Sequence, residues 1–143
     1  MQNFKINSII KNIFHTQLEV RVSDINYGNH LGHDSLVSLL HEARMRFIKS
    51  LGYADELNID GLRMLVTHLV VNYKSEAFCS DILSINIGIG EITKTSFQFI
   101  YQVNLQENKK EIATALTAMI FYDDIKSRVA RISEQFLKNI KAE

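Results

Sequence analysis

The sequence predicts an α+β chain: an antiparallel sheet of about five strands with one long helix against it. Two observations predict this. Several segments alternate apolar and polar residues with the period of two that a half-buried strand requires. One segment, 34–51, instead places apolar residues three and four apart, the stripe of a helix with one buried face. The connectors "CSD", "TK" and "ENKK" are short and polar, as hairpins need.

Residues 14–22 set Phe14, Thr16, Leu18, Val20 and Val22 against His15, Gln17, Glu19 and Arg21, a first strand. Residues 23–33 hold Ser, Asp, Asn and two Gly with no apolar period, so they form a loop. Leu36, Leu40, Ala43, Phe47 and Leu51 then line one helix face, and Val37, Leu39 and Ile48 widen it. Asp34 or Ser35 is placed to cap the helix start, and Gly52 to close its end in a left-handed conformation. After an irregular stretch, 53–60, come a long strand-like run over 63–77 and clear alternations over 82–92, 95–105 and 110–122. In the last, Ile112, Leu116, Ile120 and Tyr122 fall on one side. Gly88 and Gly90 mark a bend in the sheet. The four later strands are expected as a meander, followed by a short helix over 132–141.

The chain has 143 residues, 46% hydrophobic and 22% charged, with no proline. That length suits one domain, 1–143, with 1–13 as an N-terminal extension, and buries roughly 70% of the unfolded surface. Sixteen basic residues balance sixteen acidic ones. This argues against nucleic acid or a membrane surface as partner, both of which select a basic excess. Near-zero charge favours self-association, and one helix covers only part of such a sheet. A homodimer or homotetramer is therefore expected. The lone Cys79 excludes an internal disulfide and points to the cytoplasm. No apolar run is long enough for a membrane span, and 1–13 lacks a signal-peptide pattern.

The polar stretch "SDINYGNHLGHDSLVSLLHEAR" over 23–44 carries the candidate chemistry. A metal reading fails on spacing. The zinc motif H-E-x-x-H would need a second His at 45, where Met45 stands. No nucleophile elbow or phosphate loop is present. Cys79 has no His or Asn near it in sequence and reads as a small buried thiol. Acid–base chemistry remains: Asp24, Asn26, His30 and Asp34 surround the start of a buried helix. Free amides there can hold an oxyanion, and His30 can act as a base. The plainer reading is a turn at Asp24 and Asn26, a cap at Asp34 and a polar His30. Residue types alone leave both open.

Taken together, the strand ending "VRVSD", the loop "DINYGNHLGHD", the helix "SLVSLLHEARMRFIKSLGY" and the later "YKSEAFCSDILSI" and "KTSFQFIYQV" resemble one family in order and spacing. This is the 4-hydroxybenzoyl-CoA-thioesterase-like family of hotdog-fold acyl-CoA thioesterases. The likeness covers roughly residues 14–136. It implies a hotdog fold, a sheet wrapped around one long central helix, and hydrolysis of an acyl-CoA or acyl-carrier-protein thioester with no cofactor. The family loop is of the type D-x-D-x-x-G-H-V-N, its helix carries E-A-R, and a later segment reads Y-x-x-P-A-x-x-G-D-x-L. Asp24, His30, Glu42-Ala43-Arg44, Tyr73 and Asp81 match these, with Ser80 where Gly is usual. The resemblance implies that the acyl and pantetheine groups lie at a subunit interface. Lys74, Lys94, Arg128 and Arg131 are candidate cations for the CoA phosphates.

One departure bears on mechanism. The second acidic position of the loop, which often holds the catalytic carboxylate, is Asn26. An amide cannot act as a base. Asn26 can orient a water that His30, tuned by Asp24, or Asp24 itself deprotonates; Asp34 or Glu42 can serve as base instead; or the protein binds an acyl-CoA without hydrolysing it. The first is preferred. A hotdog hydratase motif, D-x-N-P-x-H, ranks third, because Tyr27 replaces its Pro and His30 comes one residue late.

Overall fold

The computed structural model describes residues 4–7 and 11–141; the first part of the expected N-terminal extension lies partly outside them. The elements run β1 (Asn12–Glu19), α1 (His33–Ser50), β2 (Arg63–Tyr73), β3 (Ile82–Ile92), β4 (Ser96–Leu105), β5 (Glu111–Asp123), β6 (Arg128–Ala130) and α2 (Glu134–Lys141). The sheet order is β1-β3-β4-β5-β2, every pairing antiparallel, with β6 on β5.

Strand β1 stops before the alternation does. The Asp24 carboxylate accepts a hydrogen bond from the Arg21 amide at 2.9 Å and turns the chain into one 3-10 turn, Val22–Asp24. Val22, expected inside, is thereby 79% exposed. Helix α1 buries Leu36, Leu39, Leu40, Ala43, Phe47 and Ile48, the expected stripe. It also buries Arg44, which no apolar pattern signals. Its N-cap is Gly32, with no side-chain cap, so Asp34 and Ser35 do not cap it as expected. Asp34 sits in the first turn, where its charge favours the helix dipole. Gly52 closes the other end at φ +98°.

The expected meander is corrected in one place. β3, β4 and β5 are joined as hairpins, but β2 pairs with β5 and not with β3. The connector 74–81 therefore crosses the end of the sheet instead of turning tightly. Along the way Ala77 accepts a hydrogen bond from the Leu31 amide at 2.8 Å, and the Ser80 amide donates to Val20 at 2.8 Å. Ser80 holds φ +75°, which explains why glycine suits that position in the family pattern.

On β5 the expected grouping of Ile112, Leu116, Ile120 and Tyr122 on one side holds, and the core lies mainly against the other side. Ala113, Ala115, Thr117, Met119 and Phe121 are buried; on the opposite face Ile112 is buried too, while Leu116, Ile120 and Tyr122 stay partly exposed. The reason is volume. β4 sends Phe99, Tyr101 and Val103 inward opposite Thr117, Ala115 and Ala113, so small residues of β5 make room for large ones of β4. Phe97, Phe99 and Tyr101 are fully buried core. Phe47 of α1 meets Phe14 and Phe99 at ring separations of 5.7 and 5.8 Å. Phe136 of α2 meets Phe97 and Phe121 at 5.4 and 5.2 Å. These rings carry the packing from β1 through α1 and the sheet to α2.

The helix therefore lies on one face of the sheet. On the described part of the N-terminal segment, Phe4 exchanges hydrogen bonds with the Asn72 side chain of β2, at 3.2 and 2.6 Å. Among the described residues no helix is long and apolar enough to cross a membrane.

Candidate active site

The loop between β1 and α1 folds as a miniature hairpin. Ile25 pairs with Leu31, the Asn29 amide donates to Asn26 at 3.0 Å, and Asn29 takes the left-handed conformation at φ 66°. Asparagine tolerates that conformation better than most residues. Asn26 Oδ1 accepts from the Gly28 amide at 2.9 Å, which fixes its side chain against the turn. Gly28 leaves space for the His30 ring: a Cβ there would lie 2.9 Å from Nε2.

His30 is oriented by its neighbours. Its Nδ1 lies 3.0 Å from the Leu31 carbonyl, which can only accept, so Nδ1 carries the proton and donates. In the neutral ring Nε2 then keeps its lone pair, 3.8 Å from Glu76 Oε1. The backbone bond from Leu31 to Ala77 is what brings these two side chains together. Asn26, His30, Gly32, Tyr73, Lys74 and Glu76 all border one cavity of about 290 Å³ at the start of α1. Tyr73 closes it from β2, its hydroxyl donating to the His33 carbonyl at 2.9 Å. Burial, with the Asp34 charge adding to it, raises the Tyr73 pKa, so the hydroxyl stays a donor.

The four expected site residues thus divide. Asn26 and His30 share the cavity. Asp24 and Asp34 border a second one, of about 350 Å³, which Asn26 also lines. Asp24 is 4% exposed and tied to Arg21 through its backbone amide, Nε and a terminal nitrogen, at 2.9, 3.2 and 3.1 Å. It is Glu76, not Asp24, that approaches His30. Burial pushes the Asp24 pKa up, but the Arg21 bonds together outweigh it and hold the group below the usual carboxylate range. A depressed pKa stabilises the fold above the ordinary carboxyl pKa, and this contribution is lost as pH falls through the folded value. Asp24→Asn should therefore cost stability at neutral pH, about 1–2 kcal/mol. The gap from wild type should begin to narrow as pH falls below about 4. Urea unfolding at pH 7 and pH 3 checks both.

Glu76 was not anticipated. It falls where the family pattern has proline, and that mismatch is the one signal the sequence offers. Glu42, the other helical candidate, pairs with Arg46 at 2.9 Å. Of the four candidate CoA-binding cations, Lys74 borders the cavity. Among the described residues no group of three or more His, Cys, Asp or Glu side chains is placed to hold a metal ion. Cys79, read as buried, is exposed, because the connector 74–81 runs over the surface.

A family model, the thioesterase-like superfamily, matches residues 20–140. None of the curated proteins matches the chain. Among solved structures, a 1,4-dihydroxy-2-naphthoyl-CoA thioesterase from Synechocystis superposes with a TM-score of 0.82 at 18% identity, covering 90% of this chain and 95% of that one. A probable thioesterase from Escherichia coli gives 0.76 at 19% identity, covering 89% and 96%. A Staphylococcus aureus protein solved in complex with CoA gives 0.81 at 17% identity, covering 98% and 86%.

Proposed function

Because the chain belongs to the thioesterase-like superfamily, we propose that it hydrolyses an acyl-CoA thioester to the free acid and CoA. The observation that carries this is the shared cavity at the start of α1. There the Nε2 lone pair of His30 and the fixed side chain of Asn26 meet an uncapped helix N-terminus.

Each part has a chemical use. The first amides of a helix have no intrahelical acceptor, and the dipole places partial positive charge beside them. A thioester carbonyl held there gains stabilisation as its oxygen becomes an oxyanion. Asn26 positions the carbonyl or the attacking water. His30 presents Nε2 as an acceptor to that water and holds it for attack. Asp24 contributes at one remove, holding the loop through Arg21. Asp34 adds negative charge in the first turn of α1. Lys74 at the rim is placed to meet a CoA phosphate.

The same reading includes a homodimer. β2 ends the sheet with eleven residues, and Val66, Leu69 and Tyr73 on it are 44%, 45% and 46% exposed. Pairing with a second β2 would bury them and satisfy an edge that otherwise invites aggregation. Tyr73 borders the cavity, so such a dimer would place the site at the subunit boundary, with the sheet curved around α1. A reducing cytoplasm is the compartment that suits the exposed Cys79.

Asn26 in place of a carboxylate favours a second reading, an acyl-CoA binder without turnover. Thiol release from a panel of aliphatic and aromatic acyl-CoAs, followed with a thiol-reactive dye, separates the two. The hydrolase reading expects turnover of at least one member. Binding of CoA esters with no release from any of them contradicts it.

A further inference from the structure

Resting on the hydrolase reading, we propose that Glu76 is the catalytic base, supplying from the β2–β3 connector the carboxylate that the loop lacks at Asn26. Two observations converge on it. Its Oε1 stands 3.8 Å from His30 Nε2, inside the cavity that also holds Asn26 and Gly32. Its position is built, because Leu31 bonds to Ala77 and so sets the His30 and Glu76 side chains next to each other.

The separation has a use that an ion pair would not. At 3.8 Å the two groups are too far apart for a direct hydrogen bond. The Glu76 side chain is 62% exposed, so the pair adds little stability. With the His30 ring neutral both facing atoms are acceptors, because its one proton is engaged on the Nδ1 side. A water about 2.8 Å from each would subtend about 85°, so it can donate one hydrogen to each atom. Such a water is held by two acceptors with its oxygen lone pairs free, the arrangement an attacking nucleophile needs.

In the reaction, the water oxygen bonds to the thioester carbonyl carbon as one of its protons passes to Glu76. The tetrahedral intermediate collapses by breaking the carbon–sulfur bond, with the electron pair leaving on sulfur. Glu76 returns its proton to that thiolate. Water and thioester become acid and thiol, and Glu76 ends as the carboxylate it began as. His30 keeps its own proton throughout and holds the water's second hydrogen.

Glu76→Gln keeps size and polarity and removes the base. On the best substrate of the acyl-CoA panel, kcat is expected to fall about 10²–10³-fold with KM changed less than about threefold. Glu76→Asp should recover part of the loss. Circular dichroism melting should match wild type, since the side chain is exposed. An active wild type with a Glu76→Gln variant within about threefold of it overturns this proposal and leaves the hydrolase reading standing. A wild type that releases no thiol overturns both.

Discussion

His30→Ala is expected to lower kcat/KM for thiol release by about 10²–10³-fold while leaving the melting temperature almost unchanged. The side chain is 30% exposed, so its loss opens no core cavity. What goes is the acceptor that orients the attacking water. The drop should fall mainly on kcat, because the water matters in the transition state more than in substrate binding. His30→Gln restores an acceptor near the same place and should sit between the two. Equal kcat/KM for wild type and His30→Ala would remove this residue from the mechanism.

The second large effect concerns the fold. Phe97→Ala should destabilise by about 3–5 kcal/mol, the usual cost of emptying an aromatic site in a core. Phe97 is fully buried, edge-on to Phe99 at 5.0 Å, stacked on Phe121 at 5.9 Å and tilted against Phe136 at 5.4 Å. It thus joins β4, β5 and α2 at once. For a chain of 143 residues, total stability is about 7–20 kcal/mol, so the loss is a large share of it. The melting temperature should drop on the order of 10 °C. Phe97→Leu keeps much of the volume and should lose less than half as much. The proposed site lies at the start of α1, so kcat at low temperature should change little in either variant.

The fold was legible where one periodicity ruled. Helix α1 begins and ends within one residue of its expected bounds, and β3 matches 82–92, because each has a single apolar face. Reading stopped short where both faces were apolar. On β5 the alternation groups Leu116, Ile120 and Tyr122 on one side without saying which side is core; the small residues opposite face inward, because Tyr101 opposite Ala115 needs the room. That choice depends on a neighbouring strand and leaves no trace in β5 itself. The meander failed for a related reason. Nothing in 74–81 announces that its partners are Val20 and Leu31, far back along the chain.

The candidate site divides in the same way. Asn26 and His30 lie in one short loop, so sequence could place them together. Their division from Asp24 could not be read, because it depends on Arg21 occupying the carboxylate. Glu76 comes from a distant connector, and only the crossover from β2 to β3 carries it to His30.

The central claim is that water, held between His30 and Glu76, attacks the thioester carbonyl directly. A single turnover in ¹⁸O-enriched water, with enzyme in excess over acyl-CoA, tests it most directly by mass spectrometry of the released acid and of the protein. The account predicts one ¹⁸O atom in the acid at the first turnover and none in the protein. Unlabelled acid, with ¹⁸O appearing in the Glu76 side chain, would show a covalent acyl-carboxylate intermediate and contradict it.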